Sequence, residues 1–260
     1  MVELEQISVR FHYGDGSTLQ ALDQVSLSIP EGCFVTVVGN NGAGKSTLLN
    51  VLAGTLVPTS GRICIAGKEV THWSEVRRAR WIARVFANAA ESTCGNLTVA
   101  ENFAVALRRG EFHGLGWYLK AEERKHIRDQ VARLGLGLEA HLDRPMEQLS
   151  SGQRQSLSVL MATLTHPKLL LLDEHVANLD PETADRVMAL TESLIREEHL
   201  TALMVTHEIP YALAYGDRLV AMERGRVLVD LDAAQKREVS EEKLRDLYRS
   251  RPASTLALAT

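Results

Sequence analysis

Hydrophobic and polar residues alternate along the first thirty positions of the chain. Residues 2–11 and 22–29 both follow this two-residue period, and the Pro-Glu-Gly sequence at 30–32 interrupts it. Alternation of this kind is typical of strands with one buried face, and Pro-Glu-Gly is typical of a turn. The N-terminal region is therefore predicted to form antiparallel β-structure.

A different pattern, in which continuous apolar runs alternate with longer amphipathic segments, covers much of the remaining chain. Buried strands are predicted at 33–38, 169–172 and 201–206, and helices at 47–53, 181–198 and 210–215. Continuous apolar strands separated by helices indicate a mostly parallel sheet covered on both faces. The predicted fold class is α/β, with the antiparallel β-structure as a subdomain.

Shorter segments complete the predicted elements. A strand at 62–66, a helix at 75–82, a strand at 83–86, a hairpin at 218–230 that turns at 223–225 and a final helix at 240–248 are expected. Apolar positions at helical spacing also predict helices at 99–109 and 121–134, separated by the glycine-rich stretch 110–116. The region 98–145 is therefore predicted to be a helical insert.

The composition argues against several classes of protein. The chain has 260 residues and a formal net charge of −4, so it lacks the overall positive charge of a nucleic-acid-binding protein, and no nucleic acid partner is expected. Cys33, Cys64 and Cys94 lie too far apart for a zinc site or a disulfide framework. No leader and no run of ~18 apolar residues is found, so the chain is expected to be soluble and to reach a membrane only through another subunit.

The first chemical motif is a glycine-rich loop directly after the predicted strand 33–38. It reads G-x-x-x-x-G-K-S, and its candidate nucleotide-binding residues are Gly39, Asn40, Asn41, Gly42, Ala43, Gly44, Lys45, Ser46 and Thr47. Such a loop points backbone N–H groups at a polyphosphate in front of a helix N-terminus. Lys45 is expected to reach the β- and γ-phosphates, and the Ser46 hydroxyl to be a Mg²⁺ ligand. ATP and Mg²⁺ are the predicted cofactors.

The second motif is a pair of carboxylates at the end of the apolar run 169–172. Asp173 and Glu174 follow that run directly, and ligands bind at the carboxyl edge of a parallel sheet. Asp173 is expected to hold Mg²⁺. Glu174 is expected to act as the general base that polarises a water attacking the γ-phosphate.

The third motif, Leu149-Ser-Ser-Gly-Gln153, stands at the start of a predicted helix. Ser150 offers a hydroxyl there, and Gly152 permits close backbone approach. With these motifs in this order, residues 1–248 resemble the ATP-binding subunit of an ABC transporter, whose signature motif is LSGGQ. Ser151 replaces the first glycine of that motif.

The resemblance implies a P-loop NTPase core and a dimer. In the family, two subunits face each other head to tail, so a second copy of the chain is an expected partner, and the signature residues of one subunit cover the phosphates bound by the other. Those residues are Ser150, Ser151, Gly152 and Gln153. The resemblance also implies an ATP-binding core at 1–97 and 146–248, with the insert 98–145 extending into 150–165. A disordered tail is expected at 249–260.

Further residues correspond to the family pattern by position. Asp180, in Ala177-Asn-Leu-Asp180, lies in the segment that corresponds to the D-loop, which communicates across the dimer. His207, after the strand 201–206, corresponds to the switch histidine that contacts the γ-phosphate. Phe11 corresponds to the aromatic that stacks on adenine, with Tyr13 as the alternative, although either ring could instead be core or surface.

One position departs from the family pattern. ABC cassettes usually carry a glutamine after the strand that precedes the insert, where it touches Mg²⁺ or the attacking water and links the core to the membrane subunit. Here that residue is Ala87, and Asn88 follows one position later. Either Asn88 or a water substitutes, or hydrolysis is weakened, or the chain is an altered variant; the sequence leaves these alternatives open.

Two functions compete on the sequence. The resemblance favours the energising subunit of an importer of amino-acid-like solutes, with an integral membrane permease subunit and an extracytoplasmic solute-binding protein as partners. The chain would then be cytoplasmic, on the inner face of the membrane, with the insert and residues 87–94 facing the permease. The alternative is a non-transport ABC ATPase acting on nucleic acid, ribosomes or a cluster-assembly scaffold. No second cassette or coiled-coil insertion supports the first two of these, and cluster assembly stays open.

Overall fold

The structure is a computed structural model that describes residues 1–109 and 119–249. Its strands are, in chain order, β1 (Val2–His12), β2 (Thr18–Ile29), β3 (Phe34–Val38), β4 (Ser60–Ile65), β5 (Lys68–Glu69), β6 (Ile82–Val85), β7 (Leu169–Asp173), β8 (Ala202–Val205), β9 (Arg218–Glu223) and β10 (Arg226–Leu231). The glycine-rich stretch 110–116 and residues 250–260 of the predicted tail lie outside the described residues, and Arg249, the first residue of that predicted tail, is helical.

The helices alternate with the strands from β7 to β9, as the apolar pattern predicts, and four helices follow one another between β6 and β7. In chain order, the helices are α1 (Lys45–Ala53), α2 (Glu75–Arg78), α3 (Ala89–Ser92), α4 (Val99–Leu107), α5 (Ala121–Ala132), α6 (Ser151–Thr163), α7 (Pro181–Glu197), α8 (Ile209–Ala214), α9 (Ala233–Glu238) and α10 (Glu241–Arg249). Short 3₁₀ turns lie at Leu138–Ala140 and Met146–Gln148. No helix of the described ranges is long and apolar enough to cross a membrane.

The N-terminal region forms a sheet with the strand order β2-β1-β4-β5, and its pairs are antiparallel. The predicted antiparallel β-structure is therefore confirmed. β2 begins earlier than the alternating pattern indicates, because Thr18 pairs with His12 and Leu19 with Phe11. Pairing across the hairpin thus extends the strand over residues 18–21.

The larger sheet has the order β10-β9-β3-β8-β7-β6. β3, β6, β7, β8 and β9 run parallel, and β10 pairs antiparallel with β9. The strands β3, β7 and β8 are buried apart from the terminal Asp173, which explains their continuous apolar runs. The predicted α/β class is confirmed.

The helix predicted at 75–82 is wrong in its second half. α2 ends at Arg78, and β6 begins at Ile82, which pairs with Leu169. Pairing with the neighbouring strand draws Ile82 into the sheet, and this long-range contact overrides a local helical pattern. The strand predicted at 83–86 accordingly starts and ends one residue earlier, at Ile82–Val85.

Arg78 fastens α1 to the small sheet. Its guanidinium is buried and donates to the carbonyl oxygens of Val51 and Leu52 at 2.6 and 2.7 Å and to those of Val70 and Thr71 at 2.6 and 3.0 Å. Desolvation lowers its pKa to about 10. A cation at the C-terminal end of a helix also offsets the negative end of the helix dipole.

The core lies on both faces of the parallel sheet. One cluster packs α1, through Leu48 and Leu52, between the parallel sheet and the antiparallel sheet. The other packs α4 and α5 of the predicted insert against α6, with Phe103, Ile127 and Leu157 fully buried. The helical layer therefore rests on one face of the sheet, and α1 carries the loop after β3 on the other.

Candidate functional site

The loop between β3 and α1 folds around the Lys45 side chain. Its ammonium donates to the carbonyl oxygens of Gly39 at 2.6 Å and Asn40 at 3.3 Å, and the residue is only 6% exposed. Burial lowers the pKa of Lys45, while the nearby carboxylates of Glu174 and Asp173 act in the opposite direction. Lys45 is therefore held inside the loop, with both candidate carboxylates in electrostatic range.

The first turn of α1 is open to a ligand. The first N–H groups of an α-helix have no intrahelical acceptor, and no side chain caps this helix, so these groups face the loop without a side-chain acceptor. Gly44 precedes the helix with φ +99°, and a Cβ there would lie 2.7 Å from the Ala21 carbonyl oxygen. Glycine is required at this position. The arrangement is one that binds phosphate anions.

Asp173 at the end of β7 forms an ion pair that the sequence did not reveal. Its Oδ2 lies 2.6 Å from an Arg84 guanidinium nitrogen, and the two side chains are 19% and 15% exposed. Arg84 also donates to the Asn50 side-chain oxygen at 2.9 Å, which connects β6 to α1. The carboxylate proposed for Mg²⁺ is thus already oriented by a cation on the neighbouring strand.

The donor set at this edge fits a metal that is held mainly by phosphate. Ser46 is exposed on the first turn of α1, and Asp173 offers a carboxylate. Within residues 1–109 and 119–249, no group of three or more His, Cys, Asp or Glu side chains could hold a metal ion by itself. Mg²⁺ usually binds through one or two protein oxygens together with substrate phosphates, so these residues fit it.

Glu174 and His207 lie together beyond the ends of β7 and β8. His207 Nδ1 is 3.3 Å from Glu174 Oε2, and its Nε2 is 3.3 Å from Glu208 Oε1. The Glu174 backbone has φ +48°, a left-handed conformation rarely adopted by a residue with a side chain. Its N–H donates to the Val205 carbonyl oxygen at 2.9 Å, which holds it against β8.

The residue after Glu174 is anchored in the core. Thr191 donates its hydroxyl proton to the Val187 carbonyl oxygen at 2.7 Å, so His175 Nε2, 3.1 Å from Thr191 Oγ1, has to be the donor of that contact. His175 is fully buried, and burial lowers its pKa to about 4. This neutral histidine ties the loop after β7 to α7.

The signature segment begins α6 and is exposed at its tip. Ser150 accepts from the Gln153 N–H at 3.2 Å, and the Gln153 side chain accepts from the Ser150 N–H at 3.1 Å, which makes a capping box. A Cβ at Gly152 would lie 2.3 Å from Thr183 Cγ2, so a larger residue would require the Thr183 side chain on α7 to move. Within the described residues, no hydrogen bond joins this segment to the loop at 39–47.

The remaining candidates are Asp180, Phe11 and Tyr13, and their functional roles stay predictions. Asp180 caps α7 by accepting from the Thr183 N–H at 3.1 Å, and hydrogen bonds from Thr183 lower its pKa. Phe11 is partly buried against the core, whereas Tyr13 is 53% exposed. Stacking on adenine stays a prediction for either ring.

In the segment after β6, Asn88 caps a helix and Ala87 accepts a hydrogen bond through its main chain. The Asn88 side-chain oxygen accepts from the Ala90 N–H at 3.0 Å and so caps α3. Two amides from other elements bond to the main chain here. The buried Gln155 of α6 donates to the Phe86 carbonyl oxygen at 3.0 Å, and Asn178 donates to that of Ala87 at 3.2 Å.

Sequence reasoning missed several residues that shape this edge: Arg84, Gln155, His175 and Asn178. A charged residue in the apolar strand β6 was a signal for Arg84, and a histidine next to the carboxylate pair was a signal for His175. Gln155 and Asn178 gave no local signal. Their contacts join segments far apart in the chain.

Comparison with known families decides the classification. The family model described as ABC transporter matches residues 22–177. The chain belongs to the ABC transporter family. This match spans both the phosphate-binding loop and the Asp173–Glu174 pair, so these parts of the candidate site lie within the matched ABC transporter segment.

Curated relatives of this ABC cassette agree. It is 37% identical over 250 residues to the tyrosine transport ATP-binding protein of Clostridioides difficile, covering 95% of this chain and 98% of that protein. It is 36% identical over 231 residues to the methionine import ATP-binding protein MetN of Geobacillus kaustophilus, covering 88% of this chain and 64% of that longer protein.

Solved ABC cassettes share the fold. A dimeric post-hydrolysis state of an ATP-binding cassette bound to ADP and Pi superposes with a TM-score of 0.74 at 29% identity, covering 90% of this chain and 99% of that one. An ADP conformation of another cassette has a TM-score of 0.78 at 26% identity, covering 96% and 99%. This ABC chain binds ATP and is an ATPase.

A glutamine at position 87 is expected to accelerate hydrolysis. If the missing amide positions Mg²⁺ or the attacking water, Ala87→Gln restores one contact of ~1–3 kcal/mol, or about 5- to 150-fold in rate, with little change in nucleotide affinity. Steady-state ATPase rates and nucleotide titration measure both effects.

The matched control is Ala90→Gln, which places the same side chain on an exposed position of α3 and should leave the rate unchanged. Should Ala87→Gln hydrolyse ATP no faster while Asn88→Ala collapses the rate, then Asn88 already performs this task. The departure at Ala87 would in that case carry no catalytic defect.

Proposed function

We propose that this ATPase is the energising subunit of an importer and works as a head-to-tail dimer around two ATP molecules. The observation that carries the proposal is the division of the site. Lys45, Asp173, Glu174 and His207 gather at one edge, whereas Ser150 and Ser151 at the signature tip are exposed, and residues 150–153 make no hydrogen bond to that edge within the described residues. A second copy would bring its tip over the first copy's phosphates.

The proposed roles follow from the positions of the side chains. Lys45 and the N–H groups of α1 bind the phosphates, and Ser46 with Asp173 holds Mg²⁺, which neutralises phosphate charge when bound. Glu174 takes the proton of the attacking water. His207, 3.3 Å from Glu174, orients that carboxylate and the γ-phosphate. Phe11 or Tyr13 stacks on adenine.

The proposed cargo is an amino-acid-like solute. The relatives named above are a tyrosine transport and a methionine import ATP-binding protein, and the first of them matches over nearly the whole of both chains. An integral membrane permease subunit and an extracytoplasmic solute-binding protein would complete the system. The chain would then lie on the inner face of the cell membrane.

A cleft between the helical layer and β6 is the proposed seat of the permease. Its volume is about 550 Å³, and its lining includes Phe86, Cys94, Val105 and Met161 together with residues of α2 and α3. Arg84 reaches from this cleft to Asp173, so a segment inserted here contacts a residue that holds the proposed Mg²⁺ ligand. The alternative is that only solvent occupies this cleft.

The native Cys94 tests this seat directly, since it is exposed and lines the cleft. With Cys33→Ser and Cys64→Ser, Cys94 becomes the one cysteine of the chain. A short thiol-reactive cross-linker in native membranes is expected to join it to a cytoplasmic loop of a multi-span protein. The matched control carries Cys94→Ser and Arg224→Cys, which moves the thiol to the exposed turn between β9 and β10.

Cross-links from position 224 alone would refute the seat at the cleft. Native purification of this chain tests the transport function separately. Recovery of a multi-span membrane protein together with the chain supports an importer. Recovery of a soluble assembly scaffold instead, with no membrane protein, would favour the non-transport alternative.

A further inference from the structure

Two loops leave the parallel sheet side by side at the edge that carries Glu174. β6 and β7 are parallel neighbours, with Val85 opposite Leu172. The loop after β6 carries Ala87, and the loop after β7 carries Glu174 and, four residues later, Asn178. Because both loops begin at the same edge, the distance between them sets the position of Glu174 relative to the end of β6.

The Asn178 side chain bridges these loops. Its Nδ2 donates to the Ala87 carbonyl oxygen at 3.2 Å. Of the hydrogen bonds that the described ranges contain, it is the one that directly joins 86–98 to 174–180 through a side chain. The other amides at this edge do not join the two loops, since Gln155 links α6 to the Phe86 carbonyl oxygen and the Asn88 oxygen caps α3. Asn178 is exposed and therefore lies on the outer side of the edge.

A short, hydrogen-bonded stretch of chain connects Asn178 to Glu174. The intervening residues form consecutive tight turns, in which the Ala177 N–H donates to the Glu174 carbonyl oxygen at 2.9 Å and the Leu179 N–H to that of Val176 at 3.1 Å. On the other side of Glu174, Asp173 is paired with Arg84, and His175 is fixed to Thr191. The left-handed backbone of Glu174 persists only while its surroundings hold it.

We propose that Asn178 is a positioning residue for ATP hydrolysis: its amide fixes the loop that carries Glu174 to the main chain at Ala87. The inference rests on the proposed role of Glu174 as the general base. The bridge also concerns Ala87. Its methyl side chain offers no polar group, but its main-chain carbonyl oxygen connects this position to the loop that carries Glu174. The side-chain amide that bonds to the main chain of residue 87 comes from the loop after β7, and residue 87 itself supplies none.

The test compares steady-state ATPase kinetics of three variants. Asn178→Ala removes the bridge, and Asn178→Asp keeps the shape but replaces the donating NH₂ with an acceptor. Both should lower kcat about five- to tenfold, the effect of losing one hydrogen bond of ordinary strength, with KM for ATP within about twofold of the wild type. The control Gln130→Ala removes an amide of α5 that bonds to Arg133, and it should leave both constants unchanged.

A double-mutant cycle with Glu174→Gln separates positioning from general destabilisation. If Asn178 acts through Glu174, then Asn178→Ala should lower the residual turnover of the Glu174→Gln enzyme by less than about twofold. An equal loss in both backgrounds would overturn the positioning role, as would an unchanged kcat in Asn178→Ala. Wild-type turnover in Glu174→Gln alone would instead refute the assignment of the base, so the two failures are distinguishable.

Discussion

Glu174→Gln is expected to bind ATP as tightly as the wild type and to lose about 10²- to 10⁴-fold in turnover, the usual contribution of a general base. The substitution keeps the shape of a side chain that lies 3.3 Å from His207, but the amide cannot accept the proton of the attacking water. Since hydrolysis is blocked after ATP is bound, a closed dimer should accumulate. Size-exclusion chromatography with ATP measures the dimer, and phosphate release measures turnover.

Glu208→Gln is the matched control for this substitution. Glu208 contacts the other nitrogen of the same histidine, also at 3.3 Å, so both variants remove one negative charge beside His207. Turnover of Glu208→Gln should stay within about threefold of the wild type. Equal losses in the two variants would show that charge near His207, and not a base at position 174, supports hydrolysis.

Lys45→Ala is expected to abolish nucleotide binding, with an affinity loss of about 3 kcal/mol or more, which is over 100-fold. The ammonium is buried in the loop and reaches two of its carbonyl oxygens, so the phosphates lose their nearest cation when it is removed. Titration with a fluorescent ATP analogue measures the affinity.

Thermal unfolding provides the control within the same variants. A ligand that binds only the folded state raises Tm, so ATP should raise Tm for the wild type and for Glu174→Gln but not for Lys45→Ala. If ATP stabilises Lys45→Ala as strongly as the wild type, the phosphate-binding role of Lys45 is wrong. A variant that is already unfolded without ATP is identified by the same scan.

The parts of the fold that the sequence predicts are those with local patterns. The strand 33–38, the loop at 39–46 and the helix after it form one continuous segment, so their order alone places Lys45 at the edge of the sheet. Glu174 and His207 are likewise placed by the rule that successive parallel strands end at the same edge. The structure brings these two side chains to 3.3 Å from each other.

Contacts between distant segments could not be predicted. Arg84 and Asp173 are 89 positions apart, and Asn178 and Ala87 are 91 apart, so no periodicity connects them. The predicted end of one helix was wrong for the same reason. The helix predicted at 75–82 stops at Arg78, because the next residues pair with β7 and the Arg78 side chain turns inward to four main-chain carbonyl groups.

The Arg78 clamp limits how this cassette can be recombined with others. The guanidinium fork spans acceptors on two separate segments, the end of α1 and residues 70–71, and a lysine ammonium has too small a reach to serve both sides. A chimaera that exchanges the antiparallel sheet therefore has to take α2 and the end of α1 from the same parent. A junction placed between residues 71 and 78 would leave a buried cation facing carbonyl groups that evolved in a different protein.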